Sequence, residues 1–251
     1  MILAPSITVI TPVRNGMAFL SDMIRCVREQ DYSPLELAVI DDGSTDGSAE
    51  AARKAGARVF ETGGVGPAGA RNAGIRGTRS DLIAFLDVDD LWPPQTLQRL
   101  TAALAAQPEA DFVQGRIQDF AVDDQGNRLQ GAPYRFVNLG ASLFRRRLFD
   151  TVGLFDERLR LSEDVDFMMR CWEMDILKAT LDEVTLEYRR HPNSMTAEVR
   201  SAERATLKAV QRRLDRIRRG IFDPKLPRRM TEIKYLGSGS TARDFQKPIH
   251  D

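Results

Sequence analysis

Leu82-Ile83-Ala84-Phe85-Leu86-Asp87-Val88-Asp89-Asp90 decides the architecture: five apolar residues run straight into three carboxylates within four positions. A short, continuously apolar run of this kind predicts a strand buried on both faces. The same pattern stands upstream, where Leu35–Ile40 (LELAVI) stops at Asp41-Asp42-Gly43-Ser44. Working outward, Ile7–Thr11 (ITVIT) reads as another strand, expected to stop at Pro12, and Ala57–Phe60 as a further one. Leu20, Met23, Ile24 and Val27 recur at three- and four-residue steps, the apolar stripe of a helix. Ser44 or Thr45 is the expected cap of a second helix through Ala49, Ala51 and Ala52, ending near Gly56. Strands alternating with helices predict an α/β fold, a mostly parallel central sheet flanked by helices.

Beyond Trp92 the rhythm changes. A helix is expected over Pro94–Ala106, mixed short elements around Phe112–Gln118, and a hairpin loop at Asp123–Asn127. Val165, Met168, Met169 and Trp172 give Glu163–Met174 a helical period, and Thr185–Tyr188 reads as a late strand. From Glu198 to Arg229 eleven Lys and Arg face four acids, and Ala205, Leu207, Val210, Leu214, Ile217 and Ile221 form a helical stripe. That predicts a C-terminal helical extension over 198–251, with a flexible tail from Gly237. The division is then a catalytic domain over 1–197, with a nucleotide-binding half to about residue 90 and an acceptor-binding half over 91–197.

Charge narrows the function classes. Lys plus Arg and Asp plus Glu are 36 each, which points neither to a nucleic-acid partner nor to an acidic disordered chain. Cys26 and Cys171 sit among apolar residues and read as reduced core thiols of a cytoplasmic protein. No apolar stretch approaches the roughly 20 residues that span a bilayer, and the first residues lack a signal-peptide pattern. Membrane contact, if any, is expected to be peripheral, at the inner face.

In an open parallel sheet ligands bind at the carboxyl ends of strands, near a reversal of strand order. Asp41, Asp42, Asp87, Asp89 and Asp90 would all face one cleft there. Clustered carboxylates oppose one another's ionisation unless a cation intervenes. The Asp87-Val88-Asp89 spacing puts two of them on one side of an extended segment, as a hard divalent ion requires. Asp46 reads as a turn and cap residue, and Asp90 equally as either. The segment Gly63–Gly74 lacks the GxxxxGK[ST] pattern of a phosphate loop, but Arg71 within it could reach the cleft and neutralise a phosphate.

Six motifs in order resemble the inverting family 2 glycosyltransferases of the GT-A (nucleotide-diphospho-sugar transferase) fold. They are Val9-Ile10-Thr11-Pro12-Val13-Arg14-Asn15, Val39–Asp46 (VIDDGSTD), Ala70–Ile75 (ARNAGI), Phe85–Asp90 (FLDVDD), Gly153–Glu157 (GLFDE) and Ser162–Phe167 (SEDVDF). The resemblance implies that Thr11, Pro12 and Arg14 line a base pocket, that Asp41 and Asp42 contact the nucleobase and ribose, and that Arg71 approaches the nucleotide. It makes Asp87 and Asp89 a DxD site for Mn²⁺ or Mg²⁺, Asp89 as the direct ligand, with His191 joining the metal or the diphosphate. It makes Asp164 the general base, with Glu163 beside it supporting the pocket or contacting the acceptor. Asp166 is left to cap the helix or pair with Arg170. The chain lacks the QxxRW motif of processive synthases.

The resemblance thus implies a nucleotide-sugar donor, UDP-linked before dTDP or GDP, and a glycan, lipid-linked or other hydroxyl acceptor, joined in a single inverting displacement. Gln114, Arg116, Asn138 and Ser142 are the expected readers of sugar and acceptor. The alternatives are a catalytically inactive nucleotide-sugar-binding scaffold and a nucleotidyltransferase. The basic extension is expected either to lie on an anionic membrane or to pack on the catalytic domain with its basic face solvated, with nucleic acid not expected as a partner.

Overall fold

A computed structural model describes residues 4–192, 194 and 199–237, apart from the side chains of 199–206 and 233. The order is β1 (Ile7–Val13), α1 (Met17–Arg28), β2 (Leu35–Asp41), α2 (Ser48–Lys54), β3 (Arg58–Glu61), α3 (Pro67–Gly77), β4 (Leu82–Phe85) and α4 (Thr96–Ala105). There follow β5 (Phe112–Val122), β6 (Arg128–Gln130), a 3-10 turn (Leu139–Ala141), β7 (Ser142–Arg145), α5 (Arg147–Val152), α6 (Glu163–Glu173), β8 (Lys178–Arg189), α7 (Val199–Arg218) and α8 (Glu232–Leu236).

One sheet holds all eight strands, in the order β3-β2-β1-β4-β7-β5-β6, with β8 beside β5. β3, β2, β1 and β4 are parallel; β7 then runs antiparallel to both β4 and β5. The sheet therefore crosses residue 90 unbroken, and the two expected halves share a core. Alternate strand residues feed two apolar layers: Val9 and Ala84 face α1 and α4, while Ile10, Ile83 and Phe85 face α3, α5 and α6. The second layer holds six interlocked rings, Phe85, Phe112, Phe144, Phe149, Phe155 and Phe167. Burying each such ring contributes about 1.5–3 kcal/mol.

Three local expectations are corrected. β1 continues through Pro12 to Val13, because β4 pairs with it only as far as Ile10. Beyond that point β1 has a free edge on one side, where a missing N–H costs nothing. α2 is not capped by Ser44 or Thr45; it starts after Gly47 at φ 85°. The two hydroxyl residues instead join the loop after β1: Asn15 N–H donates to Ser44 Oγ at 3.0 Å, and Thr45 N–H donates to Asn15 Oδ1 at 2.8 Å. β5 and β8 are longer than their apolar patterns predict, because they pair with each other in parallel over most of their length.

The hairpin at Asp123–Asn127 forms as expected, with Asn127 N–H donating to Asp123 Oδ1 at 2.8 Å. Both thiols are free and buried. Burial pushes Cys26 up to about 11 against the pull of the Trp92 N–H.

The basic extension packs on the catalytic body, but its basic face is only partly solvated. Arg216 reaches Asp166 at 2.8 Å and Glu173 at 2.5 Å, both in α6. Trp172 Nε1–H donates to the Met230 carbonyl at 2.9 Å, and Tyr235 is buried in the second layer. Residues 238–251 of the expected tail lie outside the described residues, as do the side chains of Arg200 and Arg204. Among the described residues no helix is long and apolar enough to cross a membrane.

Candidate active site

β1 has β2 on one side and β4 on the other, so strand order reverses there and a crevice opens beyond the carboxyl ends of these strands. The loops that follow β1 and β2 are laced together. Besides the Asn15 bonds, Asp46 accepts from Met17 N–H at 2.9 Å and from Ser48 Oγ at 2.5 Å, the turn role read for it in sequence. Asn15 stands at φ 54°, a conformation that Asn tolerates better than most residues. Its place as the clasp between two loops was not read in sequence; a polar Asn just before Gly16 was the available signal.

The adjacent carboxylates at the end of β2 do different work. Asp42 accepts four hydrogen bonds, from Thr62 Oγ1 at 2.8 Å and from the N–H groups of Gly64, Val65 and Gly66 at 2.7–2.9 Å. Burial raises its pKa, but these donors more than offset that and leave it below the ordinary carboxylate value. Those N–H groups cradle Asp42 and so are not a phosphate nest. Gly66 at φ 87° permits the turn into α3. Asp41 accepts only Ser44 N–H at 3.2 Å on Oδ2; its Oδ1 is buried with no partner among the described residues. Of the expected pocket lining, Arg14 is exposed and Pro12 half-buried, while the Thr11 hydroxyl turns inward to the Met23 sulfur at 3.7 Å.

Arg71 is buried at the centre. Its guanidinium donates to Glu163 and, at 2.6 Å, to Asp87 Oδ1. Burial alone would lower its pKa, but the charges of Asp87 and Glu163 raise it beyond the ordinary value. Arg71 thereby ties the end of β4 to the start of α6, where Asp164 stands half-buried, its Oδ1 accepting Val165 N–H at 2.7 Å. Burial, then the charge of Glu163, pushes Asp164 up to about 7, against the opposing pull of Arg71. The helix N-terminus alone would favour an ionised carboxylate; here burial outweighs it. Asp166 points elsewhere and pairs with Arg170 at 2.9 Å, the i+4 partner expected for it.

Asp87 and Asp89 do not share one side of an extended segment. The chain turns after β4, with Asp90 N–H donating to the Asp87 carbonyl at 3.1 Å, so the two side chains part. Asp87 goes to Arg71, while Asp89 Oδ2 lies 2.9 Å from His191 Nε2. Asp90 and Arg189 make that meeting, across about a hundred residues of sequence. Asp90 Oδ1 accepts Arg189 N–H at 2.9 Å, and Arg189 Nε–H donates to the Asp89 carbonyl at 2.7 Å, docking the end of β8 on the turn. Phe19 packs on the His191 ring with centroids 4.8 Å apart. Burial, with Asp89 and Asp87 adding to it, pushes Asp90 well above the carboxylate range.

Among the described residues no three His, Cys, Asp or Glu converge on one point. Asp89 Oδ2 and His191 Nε2 are hydrogen-bonded to each other at 2.9 Å, and an ion held by both would take the place of that bond. Mg²⁺-type sites commonly take one or two protein ligands and complete the shell with phosphates and water, so these residues fit such an ion.

The expected substrate readers of the second half are largely committed to structure. Gln114 is buried between the Phe136 carbonyl at 2.7 Å and Lys178 Nζ at 3.1 Å. Asn138 caps the 3-10 turn through Gly140 N–H, the Ser142 hydroxyl donates to the Asn138 carbonyl, and Arg116 pairs with Asp182. A cavity of about 570 Å³ is lined by Asp156, Asp166, Arg158, Arg170, Arg212 and Arg216 among others, and by none of the strand-end acids. Asp156 and Asp166 are each already shared by two arginines, so this is an ion-pair lattice beside the site.

The chain is similar to several known proteins. The uncharacterized glycosyltransferase EpsJ of Bacillus subtilis is 31% identical over 218 residues, covering 76% of this chain and 63% of its own. A PGL/p-HBAD biosynthesis glycosyltransferase of Mycobacterium bovis is 29% identical over 183 residues, covering 67% and 70%. The chain thus spans under two thirds of EpsJ, and 24% of glycosyltransferase GlyA of Streptococcus pneumoniae. Among solved structures, the mannosyltransferase PcManGT of Pyrobaculum calidifontis, in complex with GDP-Man and Mn²⁺, superposes with a TM-score of 0.69 at 20% identity, over 90% of this chain and 67% of its own. TarS of S. aureus in complex with UDP-GlcNAc gives 0.64 at 20% identity, over 77% and 61%. These likenesses show a GT-A fold. The Glycosyl transferase family 2 pattern matches residues 8–164, which run from β1 through every strand-end acid to Asp164, and the chain belongs to that family.

Proposed function

We propose that the protein transfers a sugar from a nucleotide-sugar, UDP-linked, to an acceptor hydroxyl in one inverting displacement with Asp164 as general base. The observation that carries the reading is Asp164 itself. It is a half-buried carboxyl whose pKa lies near 7, fixed through Glu163 and Arg71 to the strand end that bears Asp87. A base poised near the working pH is the efficient choice for taking a hydroxyl proton during attack. Donor complexes of the structural neighbours, UDP-GlcNAc in TarS and GDP-Man in PcManGT, support a nucleotide-sugar in the crevice.

Each residue then has a task. Asp41, with its unpartnered buried Oδ1, accepts an N–H of the nucleobase. Asp42 holds the loop that shapes that pocket. Arg71 and Glu163 keep Asp164 oriented and set its proton affinity. Asp89 and His191 would hold Mn²⁺ or Mg²⁺, which when bound supplies positive charge against the departing diphosphate. Incubating the chain with Mn²⁺ and a panel of UDP-, dTDP- and GDP-sugars, and measuring nucleoside diphosphate release, tests the reading. Release from a UDP-sugar that Asp164→Asn suppresses is expected. Pyrophosphate release from a nucleoside triphosphate would point to a nucleotidyltransferase, and binding without any release to a scaffold.

A further inference from the structure

A surface helix normally turns its apolar stripe to the core and its charges to water. Over its described side chains α7 does the reverse. Leu207, Val210, Leu214 and, just past the helix end, Ile221 recur at helical steps, and they are 61%, 36%, 44% and 67% exposed. The side chains turned onto the body are basic. Arg212 meets Asp156 at 3.3 Å, Arg213 meets Glu232 and lies over the Trp172 ring, and Arg216 reaches Asp166 and Glu173. Ala209 is the fully buried contact between them. The orientation is held fast: rolling the helix to hide its stripe would strip Arg216 from two buried carboxylates, an arrangement that buried charges resist strongly.

Charge selects what covers the stripe. Lys208, Arg219 and Lys225 are exposed on the same extension, as are Arg218 and Arg229, which pair with Asp215 at 3.4 Å and Asp175 at 3.2 Å; Asp223 is an exposed acid there. Two copies of this chain meeting through the stripe would oppose like charges across a two-fold interface. An anionic lipid surface suits both features, taking the apolar residues at the headgroup boundary and the cations among the phosphates. We propose that the outward face of α7 docks the protein on an anionic membrane surface. A protein held at a membrane suits a lipid-linked acceptor, a step that rests on the glycosyltransferase reading.

Co-sedimentation of the full chain with phosphatidylcholine vesicles, with and without phosphatidylglycerol, tests the surface independently of turnover. Binding to the phosphatidylglycerol vesicles, weakened by salt, is expected. Leu214→Ser with Ile221→Ser should lower the partition coefficient roughly tenfold for each side chain replaced, and Lys208→Glu with Arg219→Glu should remove the salt-sensitive part. Both variants should keep the wild-type melting temperature and nucleoside diphosphate release, which separates loss of docking from loss of the fold or of the enzyme reading. No binding to anionic vesicles, equal binding by the stripe variant, or a dimer in sedimentation velocity that the stripe variant dissolves would each overturn the proposal.

Discussion

Asp164 carries two opposed demands, and its pH behaviour should separate them. As a base it works only when ionised, so kcat/KM should fall about tenfold per pH unit below about 7, the value to which burial and Glu163 push it. Asp164→Asn should lower kcat by about 10²–10⁴ with donor affinity nearly unchanged. Stability should move the other way. A carboxyl whose folded pKa exceeds its unfolded value binds a proton more tightly when folded, so stability declines as pH rises from the unfolded pKa to the folded one. Melting temperatures of wild type and Asp164→Asn should therefore agree near pH 4, with the variant melting higher above pH 7. A variant that melts lower at pH 8 would mean the ionised carboxylate is stabilising, and the base assignment would lose its physical ground. Asp89 and His191 permit a second residue-level prediction. If they hold one ion, Mn²⁺ should tighten nucleoside diphosphate binding in wild type but in neither Asp89→Ala nor His191→Ala. The double variant should be no worse than either single one. Titration calorimetry with and without chelator measures this, and additive losses would place the two residues at separate sites.

At the level of elements, the loop from Thr62 to Gly66 is held to β2 by one carboxylate. Asp42→Ala would leave three N–H groups without their acceptor, which costs about 1–3 kcal/mol each where no water replaces it. Urea unfolding should show that loss, and it should shrink at low pH, because Asp42's depressed pKa means its contribution fades as pH falls through the folded value. Asp41→Asn should instead weaken nucleotide binding with stability nearly intact. Adjacent and chemically identical, these two residues could not be told apart in sequence, since the difference lies in which one meets the loop's N–H groups. The strands that bear the acids were legible because burial on both faces leaves an apolar run, and α1 and α6 because burial on one face leaves a period. β7 and α5, at four and six residues, are too short to leave either signature. Nor could sequence show that Arg71 bridges Asp87 and Glu163, 92 positions away from the latter. The DxD spacing was visible, but the turn that separates its carboxylates depends on Asp90 and Arg189 meeting across the sheet.

For the whole molecule, the question is whether the C-terminal extension is an appendage or part of the cooperative fold. Its stripe told which residues of α7 lie together but not which face meets the body, because that face is chosen by partners in α6. Asp166 and Glu173 are almost wholly enclosed, with side chains 2% and 4% exposed, and Arg216 is their common counter-charge. Asp166 keeps Arg170 if Arg216 is lost, but Glu173 keeps only Arg213, at 3.9 Å. Breaking a buried ion pair from one side costs about 3–5 kcal/mol, chiefly because a charge is left uncompensated. Arg216→Ala should fall near the lower end of that range, since each carboxylate retains a second arginine. Glu173→Gln added to Arg216→Ala should recover part of the loss by removing the stranded charge. Tyr235, buried in the Phe112 layer, joins the extension to the sheet core by an apolar contact as well. Unfolding followed by circular dichroism and by fluorescence in a Trp92→Phe background, which leaves Trp172 as the reporting indole, should then give one coincident transition in the otherwise wild-type chain. With Arg216→Ala added, both signals should shift together to lower denaturant. A fluorescence transition that runs ahead of the dichroism with Arg216 intact would show that the extension melts on its own, and that the arginine lattice does not bind it into the fold.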